Sequence, residues 1–456
     1  MKKTTTSKNN KALQLLASYR LAAHFGRLPL EGLVTSSRTF PLPSRVDLQV
    51  ALEEQFERAF KAELVGISRR YAAHETLTFA ELVSADQYAP RIAPLQYEEI
   101  DIGEIAPARC LRNGVWLASD GSLRFAAVIS SATSYGRDSG SHVEIAVPPG
   151  EAGAALCQRV FQAIENRVKR ATAYRGKVIS LEAADDYSGR SGKVRVHKLR
   201  KVGRDAVILP KNTLQLLDRN VGDFIRQRQK LKKLGMPLKK GLLFYGPPGT
   251  GKTHTIHYLA SQLPDHTTLL VTAEQVGLLD HYFQLARFLQ PSIIVIEDVD
   301  LIARARENMG GACEESLLNK LLNEMDGLRE DSEMIFVLTS NRPEQLEAAI
   351  SSRPGRIDQA VEFPLPDPEG RRMLVKLYSG GLEVPADVTE EIVRRTERAS
   401  AAFIKELMRR AAQFSLQDGH QARLTMEHIR SGLDEMLFSG GSLNVKLLGG
   451  PGQIVN

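Results

Sequence analysis

The chain has 456 residues, with 43% apolar and 25% charged side chains and a net charge of +6, which is typical of a soluble globular protein. This length excludes one ordinary hydrophobic core, so we expect two or three domains. No apolar run approaches the roughly 18 residues that a membrane-spanning helix needs, so we expect no membrane association. Cys110, Cys157 and Cys313 are far apart, which argues against a disulfide framework or a zinc site and favours the cytoplasm.

The first thirty residues contain no Asp or Glu. Such a segment is either a transit peptide or a tail that leads into a helix. Leu13, Leu16, Tyr19 and Ala23 recur at helical spacing, and this pattern favours the helix.

The remainder of the first 204 residues predicts a mixture of elements: helices at 46–73 and Ala152–Thr172, and strands at Leu123–Ser130, His142–Val147 and Lys177–Leu181. We therefore expect an accessory α/β domain at 1–204. Trp116, the only tryptophan, is predicted to be a packed aromatic residue of this domain.

The segment from Arg190 to Lys240 is basic, with 16 Lys and Arg side chains against three Asp. Such a segment either binds nucleic acid or acidic protein, or forms a solvated face. Phe224 is its only aromatic residue that could stack on a base, so nucleic acid is the less favoured partner.

From about Asp205 the pattern changes to strands that alternate with helices. The strands are predicted at Gly241–Tyr245, Thr267–Thr272, Ile293–Ile296 and Met334–Thr339. This alternation predicts a parallel sheet with helices on both faces, which we assign to 205–365.

After about Pro366 only helices are predicted, at 368–378, 387–397, 400–417 and 425–437. Ser400 is placed to cap the third of these helices. Residues 366–456 are therefore predicted to form a helical lid and a C-terminal tail.

The first strand of the predicted parallel sheet leads into a turn of the form G-x4-G-K-T. Its residues are Gly246, Pro247, Pro248, Gly249, Thr250, Gly251, Lys252 and Thr253. Glycines let the backbone close around phosphate oxygens, and the N–H groups at the start of the following helix face the anion. Lys252 is placed for the β- and γ-phosphates and Thr253 for a magnesium ion. The sequence therefore predicts a site for ATP and Mg²⁺.

The strand at Ile293–Ile296 ends in two carboxylates, Glu297 and Asp298. A strand beside the phosphate-binding turn should supply one acid that holds magnesium or its water. It should also supply one that orients and deprotonates the attacking water. We predict that this pair completes the catalytic site.

Three further segments follow in order: LLNEMDG at 321–327, LTSNRP at 338–343 and SRPGRID at 352–358. With the two motifs above, they make 205–437 resemble the AAA ATPases, a subgroup of the AAA+ P-loop proteins that includes proteasomal ATPases and katanin-like machines. The resemblance implies that Asn341 is a sensor residue that hydrogen-bonds the attacking water or the γ-phosphate. Arg353 and Arg356 resemble arginine fingers that act on the nucleotide of a neighbouring subunit, which implies a ring, usually a homo-hexamer.

The sequence departs from the family pattern at the end of the second motif. The family usually has Asp-Glu there, whereas this chain has Glu297-Asp298. By register, Glu297 takes the magnesium-side role and Asp298 takes the role of the base.

Two other departures concern loops. The family's pore loop carries an aromatic residue, which 274–279 lacks. Tyr282 and Phe283 are expected on the following helix, facing inward. In the family this loop holds a threaded polypeptide, and Leu278 and Leu279 are candidates to hold it more weakly here. Residues 205–210 replace a usual Gly-containing segment and are a candidate wall of the adenine pocket.

The leading interpretation is an oligomeric AAA ATPase that hydrolyses ATP to remodel a protein client. One alternative is a nucleic-acid-associated AAA+ ATPase, such as a loader or recombination accessory, which the basic segment favours. The other is a slow, nucleotide-switched scaffold, for which the Glu-Asp order and the missing pore aromatic leave room.

Overall fold

The structure, a computed structural model, describes residues 15–69, 76–84, 86, 88–134, 137–182, 193–300, 321, 323–327, 329–346, 356–419 and 423–439. The chain divides into two compact units. Unit 1 comprises 1–175 and 179–197, and unit 2 comprises 176–178 and 198–456.

Unit 1 is built on an antiparallel sheet. Its strands are β1 (Val34–Pro41), β2 (Glu63–Ser68), β3 (Arg91–Ala93), β4 (Gln96–Ile100), β5 (Ala108–Ser119), β6 (Arg124–Ser134) and β7 (Arg137–Val147). The strand order is β1-β7-β6-β5-β2-β3, with β4 paired to β5. Two short strands, β8 (Val178–Leu181) and β9 (Val194–His197), follow at the division between the units.

Helices flank this sheet: α1 (Ala17–Phe25), α2 (Arg45–Leu52), α3 (Phe79–Val83) and α4 (Glu151–Val168). On α4, Val160, Phe161 and Ile164 are buried at helical spacing, which fixes the face that packs inward. Trp116 is fully buried as predicted, and its ring stacks on that of Phe56 with 5.2 Å between centroids.

The helix predicted at 46–73 is wrong for residues 60–69, and residues 70–73 lie outside the described part of the chain. Helical turns end at residue 59, and residues 63–68 form β2 instead. Val65 and Ile67 are buried two residues apart, and β2 pairs with β5 on one side and β3 on the other. Burial of Val65 to Ile67 between two neighbouring strands therefore prevailed over helix propensity.

Unit 2 contains a parallel sheet, as predicted. Its strands are β10 (Lys240–Tyr245), β11 (Thr267–Val271), β12 (Ser292–Ile296), β13 (Met334–Ser340) and β14 (Gln359–Glu362). Within this unit they lie in the order β14-β10-β13-β12-β11. All residues of β12 and β13 are buried, because helices cover both faces of a parallel sheet.

The helices of unit 2 are α5 (Lys211–Leu217), α6 (Phe224–Lys233), α7 (Lys252–Gln262), α8 (Leu279–Phe288), α9 (Pro368–Ser379), α10 (Ala386–Arg395), α11 (Ala401–Gln417) and α12 (Met426–Asp434). The last four share an apolar core that includes Leu374, Phe403 and Ile429. Ser400 Oγ accepts a hydrogen bond of 3.2 Å from the Phe403 N–H, so the predicted cap of α11 is confirmed. Within the described residues, no helix combines the length and apolar content needed to cross a bilayer.

Candidate active site

The predicted phosphate-binding turn joins β10 to α7. Gly246 has φ 145°, and a Cβ there would lie 2.2 Å from the carbonyl oxygen of Phe363, so only glycine fits. Gly251 has φ 99° and precedes the first residue of α7. The turn thus presents the N-terminus of a helix at the carboxyl edge of the sheet, where an anion is favoured.

Lys252 lies inside this turn. Its side chain is only 7% exposed, and Nζ donates to the carbonyl oxygens of Gly246 at 2.7 Å and Pro247 at 3.0 Å. Burial lowers the pKa of the ammonium, and the carboxylates of Asp298 and Asp300 oppose that shift. The loop therefore positions a cation where the phosphates of a nucleotide would lie.

Thr253 and Glu297 form the oxygen pair expected for magnesium. Thr253 Oγ1 donates to Glu297 Oε1 at 2.8 Å. Magnesium takes one or two protein oxygens and fills its other positions with water and phosphate oxygens. Among the described residues no group of three or more His, Cys, Asp and Glu side chains forms a metal cage. A hydroxyl and a carboxylate beside a phosphate cradle therefore fit Mg²⁺ bound together with ATP.

Asp298 and Asn341 meet at the ends of β12 and β13. Asn341 Nδ2 donates to Asp298 Oδ1 at 2.8 Å. Asp298 has φ 49°, a left-handed conformation that Asp tolerates better than most residues, and its N–H donates to Thr339 Oγ1 at 2.9 Å. The two predicted residues thus lie in direct contact, with the Asp298 backbone held by the neighbouring strand.

Asp300 also belongs to this site and was not predicted from the sequence. It is 2% exposed, and its Oδ1 accepts hydrogen bonds of 3.0 Å from both Ser340 Oγ and the Asn341 N–H. The only signal in the sequence is its place as the last acid of the E-D-V-D run.

A cleft of about 430 Å³ opens beside the phosphate-binding turn. One wall is formed by Ala206, Val207, Ile208 and Leu209, from the segment that replaces the family's Gly-containing one. These apolar side chains offer a surface on which a purine ring can lie.

The opposite wall of the cleft comes from the lid helices, and its individual residues were not predicted. It includes Leu374 and Tyr378 of α9 and Ala401 and Lys405 of α11. The Ala402 N–H donates to the Gly249 carbonyl at 3.1 Å, so the start of α11 is bonded to the phosphate-binding turn. No motif marks these residues, because only the packing of the lid brings them to the cleft.

Residues 202–206, which lead to the apolar wall of the cleft, contact one face of α7. Three contacts join them: Ser261 Oγ to the Val202 carbonyl at 3.2 Å, the Arg204 guanidinium over the Tyr258 ring at 5.8 Å, and His254 Nε2 to the Ala206 carbonyl at 3.1 Å. The helix residues are spaced three and four apart and so share one face. The segment from Val202 to Ala206 therefore lies along the helix that carries Lys252 and Thr253.

Arg356 lies away from the cleft, at the amino end of β10. It is 9% exposed, forms an ion pair with Asp326, and has its carbonyl oxygen against Gly241. Gly246 follows Gly241 by five residue steps of extended chain, which correspond to roughly 16 Å. Its Nη1 has no hydrogen-bond partner among the described residues, and a cavity of about 210 Å³ adjoins it. Arg353 lies outside the described residues.

The residues after β11, where the family has its pore loop, agree with the prediction only in part. Tyr282 and Phe283 lie on α8 and are fully buried, as predicted. Leu279 also lies on α8 and is 1% exposed, so the expectation that it grips a client is wrong. Leu278, which ends a short 3₁₀ turn, is half-buried.

The basic segment contributes α6, on which no residue is buried. Lys240 Nζ lies 4.6 Å from the centroid of the Phe224 ring, so the one aromatic side chain of the segment is engaged within the protein. Arg228 lies 3.3 Å from Glu333.

The sequence model of the ATPase family associated with various cellular activities (AAA) matches residues 242–365. The chain is 32% identical over 225 residues to a proteasome-activating nucleotidase of Methanothermobacter thermautotrophicus, covering 47% of this chain and 54% of that protein. It is 32% identical over 225 residues to the 26S proteasome regulatory subunit 6A of Schizosaccharomyces pombe (46% and 51%). It is also 32% identical over 224 residues to an ATP-dependent zinc metalloprotease FtsH of Ureaplasma parvum (47% and 31%).

The chain thus spans about half the length, or less, of these relatives. The sequence contains no H-E-x-x-H zinc motif. The family match coincides with the parallel sheet, the phosphate-binding turn and the carboxylate pair. Residues 242–365 are thus a domain of the AAA ATPase type, and this domain contains the phosphate-binding turn and the carboxylate pair.

Proposed function

We propose that the chain hydrolyses ATP with Mg²⁺ and uses the reaction, as an oligomer, to remodel a protein client. The observation that carries this proposal is the contact between the two strand ends beside the phosphate-binding turn. There, Asn341 Nδ2 lies 2.8 Å from Asp298 Oδ1, and Thr253 Oγ1 lies 2.8 Å from Glu297 Oε1.

In the proposed reaction, the oxygen of a water molecule bonds to the γ-phosphorus as the bond from that phosphorus to the β–γ bridging oxygen breaks. Asp298 accepts a proton from this water, and Asn341 orients it. Thr253 and Glu297 would hold Mg²⁺, which would supply positive charge against the phosphate oxygens. Lys252 binds the β- and γ-phosphates, while the backbone of Gly246 to Gly251 cradles them.

Arg356 supports an oligomeric assembly. The main chain of Arg356 lies at Gly241, roughly 16 Å of strand from Gly246, and its guanidinium is paired with Asp326 rather than facing its own cleft. Such a cation fits the role of a finger on a neighbouring subunit's nucleotide. We therefore propose a homo-hexamer in which Arg356, with Arg353, completes each site. The division into domains at 1–204, 205–365 and 366–456 belongs to the same proposal, as does a location in the cytoplasm, which the scattered cysteines favour.

A slow, nucleotide-switched scaffold is the second candidate. It is favoured by one observation: Asp298, shorter by one methylene than the Glu usual at this position, is already bonded to Asn341. A nucleic-acid-associated ATPase is the less favoured alternative, because Phe224 is engaged by Lys240.

The test measures ATP turnover and mass on the full chain. Wild type should release phosphate in the presence of Mg²⁺, whereas Lys252→Ala should not. Light scattering of Asp298→Asn should show a six-fold mass when ATP and Mg²⁺ are added, because Asn cannot accept the proton and ATP persists. Tight ATP binding with negligible turnover would favour the scaffold, and stimulation by DNA or RNA would favour the nucleic-acid alternative. A monomer under all conditions would contradict the ring.

A further inference from the structure

Asp300 is a buried carboxylate beside the proposed site that has no role in the reaction as written above. It follows the Glu297-Asp298 pair by two residues and is 2% exposed. A charge removed from water in this way is retained in a fold only where hydrogen bonds replace its hydration. The groups that bond to it therefore indicate what it does.

Its two donors belong to the end of the neighbouring strand. Oδ1 accepts 3.0 Å hydrogen bonds from Ser340 Oγ and from the Asn341 N–H. Ser340 Oγ in turn accepts from the Arg342 N–H at 2.9 Å. The carboxylate thus fixes three successive residues at the point where β13 ends, and hydrogen bonds to a charged acceptor are stronger than neutral ones.

The same strand end carries the contact on which hydrolysis depends. The side chain of Asn341 reaches Asp298 Oδ1, and the Asp298 N–H donates to Thr339 Oγ1. Residues 298 and 300 together therefore bond to each of residues 339, 340 and 341. Asp298 is itself a proposed reacting group, whereas Asp300 is bonded only to the Ser340 hydroxyl and the Asn341 main-chain N–H among the described residues.

We propose that Asp300 is a positioning residue for hydrolysis: its carboxylate holds the Ser340–Asn341 main chain so that the Asn341 amide meets the Asp298 carboxylate and the attacking water. This inference rests on the proposed ATPase function. It assigns to Asp300 no contact with nucleotide or magnesium. Its effect on the reaction passes entirely through Asn341.

The test compares steady-state ATP hydrolysis by Asp300→Ala, Asn341→Ala and the double variant, with binding of a fluorescent ADP measured in parallel. A displacement of a catalytic group by about 1 Å costs on the order of a hundredfold in rate. Asp300→Ala should therefore lower kcat by about ten- to a hundredfold, with KM and ADP affinity changed by less than about threefold. The double variant should be no slower than Asn341→Ala, because the two residues act in series.

Asp300→Asn is the conservative variant. Its amide oxygen can accept from both donors, so most of the kcat should return. If Asp300→Asn is as slow as Asp300→Ala, the negative charge near Lys252 matters rather than the positioning, and the proposal is overturned. The proposal is also overturned if the fold-loss of kcat in the double variant equals the product of the fold-losses in Asp300→Ala and Asn341→Ala.

Ser340→Ala serves if Asp300→Ala does not fold, since it removes only one of the two donors. It should lower kcat partially in the wild-type background and have no effect in the Asn341→Ala background. An effect of equal size in both backgrounds contradicts the proposal. Absence of turnover in wild type would instead refute the ATPase function itself, so the two failures are distinguishable.

Discussion

His266 gives unit 2 a dependence of stability on pH that can be worked out from the structure. The side chain is 6% exposed, at the start of β11, and Arg228 Nη1 lies 3.3 Å from His266 Nε2. Because a guanidinium can only donate, Nε2 must accept, and the ring must be neutral with its proton on Nδ1. Burial, reinforced by the charge of Arg228, lowers the pKa of His266 from 6.5 to about 4.

The direction of this pH dependence follows from the number of protons bound by the folded and the unfolded chain. Above pH 6.5 neither the folded nor the unfolded chain protonates this histidine, so it makes no pH-dependent contribution. As the pH falls from 6.5 to 4, the unfolded chain takes up a proton that the folded chain does not, so the free energy of unfolding falls. At about 1.4 kcal/mol per pKa unit, the loss totals about 3 kcal/mol.

The assay is the pH dependence of unfolding for wild type and His266→Gln, which does not titrate. Hydrogen exchange of β11 and β12 amides reports unit 2, and the fluorescence of Trp116, which lies in unit 1, is an internal control. The wild-type free energy of unfolding should fall by about 3 kcal/mol more than that of the variant between pH 7 and pH 4. Parallel curves for the two proteins would refute the reasoning, as would a difference confined to the Trp116 transition.

Two predictions concern the nucleotide site. Lys252→Ala should weaken ATP binding by at least about tenfold, measured by equilibrium titration, because it removes the one buried cation of the phosphate-binding turn; unchanged affinity would contradict the cradle. Arg356→Ala should retain ATP binding in the same titration but lose turnover, because its own cleft is untouched. Mixed with Asp298→Asn subunits it should regain part of the phosphate release, since some interfaces then combine an intact Asp298 with an intact Arg356; no recovery at any ratio would remove support for action in trans.

The chemistry-bearing residues of the ATPase part could be predicted from the sequence because they follow apolar strands. In β12 and β13 every residue is buried, so the strands stand out as apolar runs, and the polar residues after them mark one edge of the sheet. The glycine-rich turn could also be predicted from the sequence, because its backbone conformation at Gly246 and Gly251 favours glycine over other residues.

Other parts of the fold could not be predicted because their sequence pattern is weak. β1 lies at an edge and is mostly exposed, so Val34–Pro41 carries little apolar signal. β5 contains Arg, Asn and Gly among its apolar residues, since part of it pairs with the peripheral strand β4. The residues that form the lid wall of the cleft could not be predicted for another reason: Tyr378 and Lys405 reach the cleft only through tertiary packing.

The contacts along α7 connect the nucleotide cleft to the segment before it, and their strength can be tested separately from catalysis. The Ala206 and Val207 N–H groups donate to the Gly203 and Arg204 carbonyls, so their exchange with solvent reports whether this segment is held. The Ser261 hydroxyl shares its one proton between the Tyr258 carbonyl at 2.8 Å and the Val202 carbonyl at 3.2 Å, so its bond to Val202 contributes at most about 1 kcal/mol. The contact between the Arg204 guanidinium and the Tyr258 ring contributes about 0.5–1 kcal/mol.

Removing both contacts with Tyr258→Ala and Ser261→Ala should therefore speed exchange of these amides roughly tenfold, since about 1.4 kcal/mol corresponds to a factor of ten. Gln262→Ala, an exposed residue at the end of the same helix, is the matched control and should leave exchange unchanged. If ATP occupies the wall formed by Val207 to Leu209, adding it to wild type should slow exchange at 202–206, and the double variant should show less of this slowing. ATP protection that is equally strong in the double variant would mean that the segment is held by the nucleotide itself, and that α7 contributes nothing to the connection.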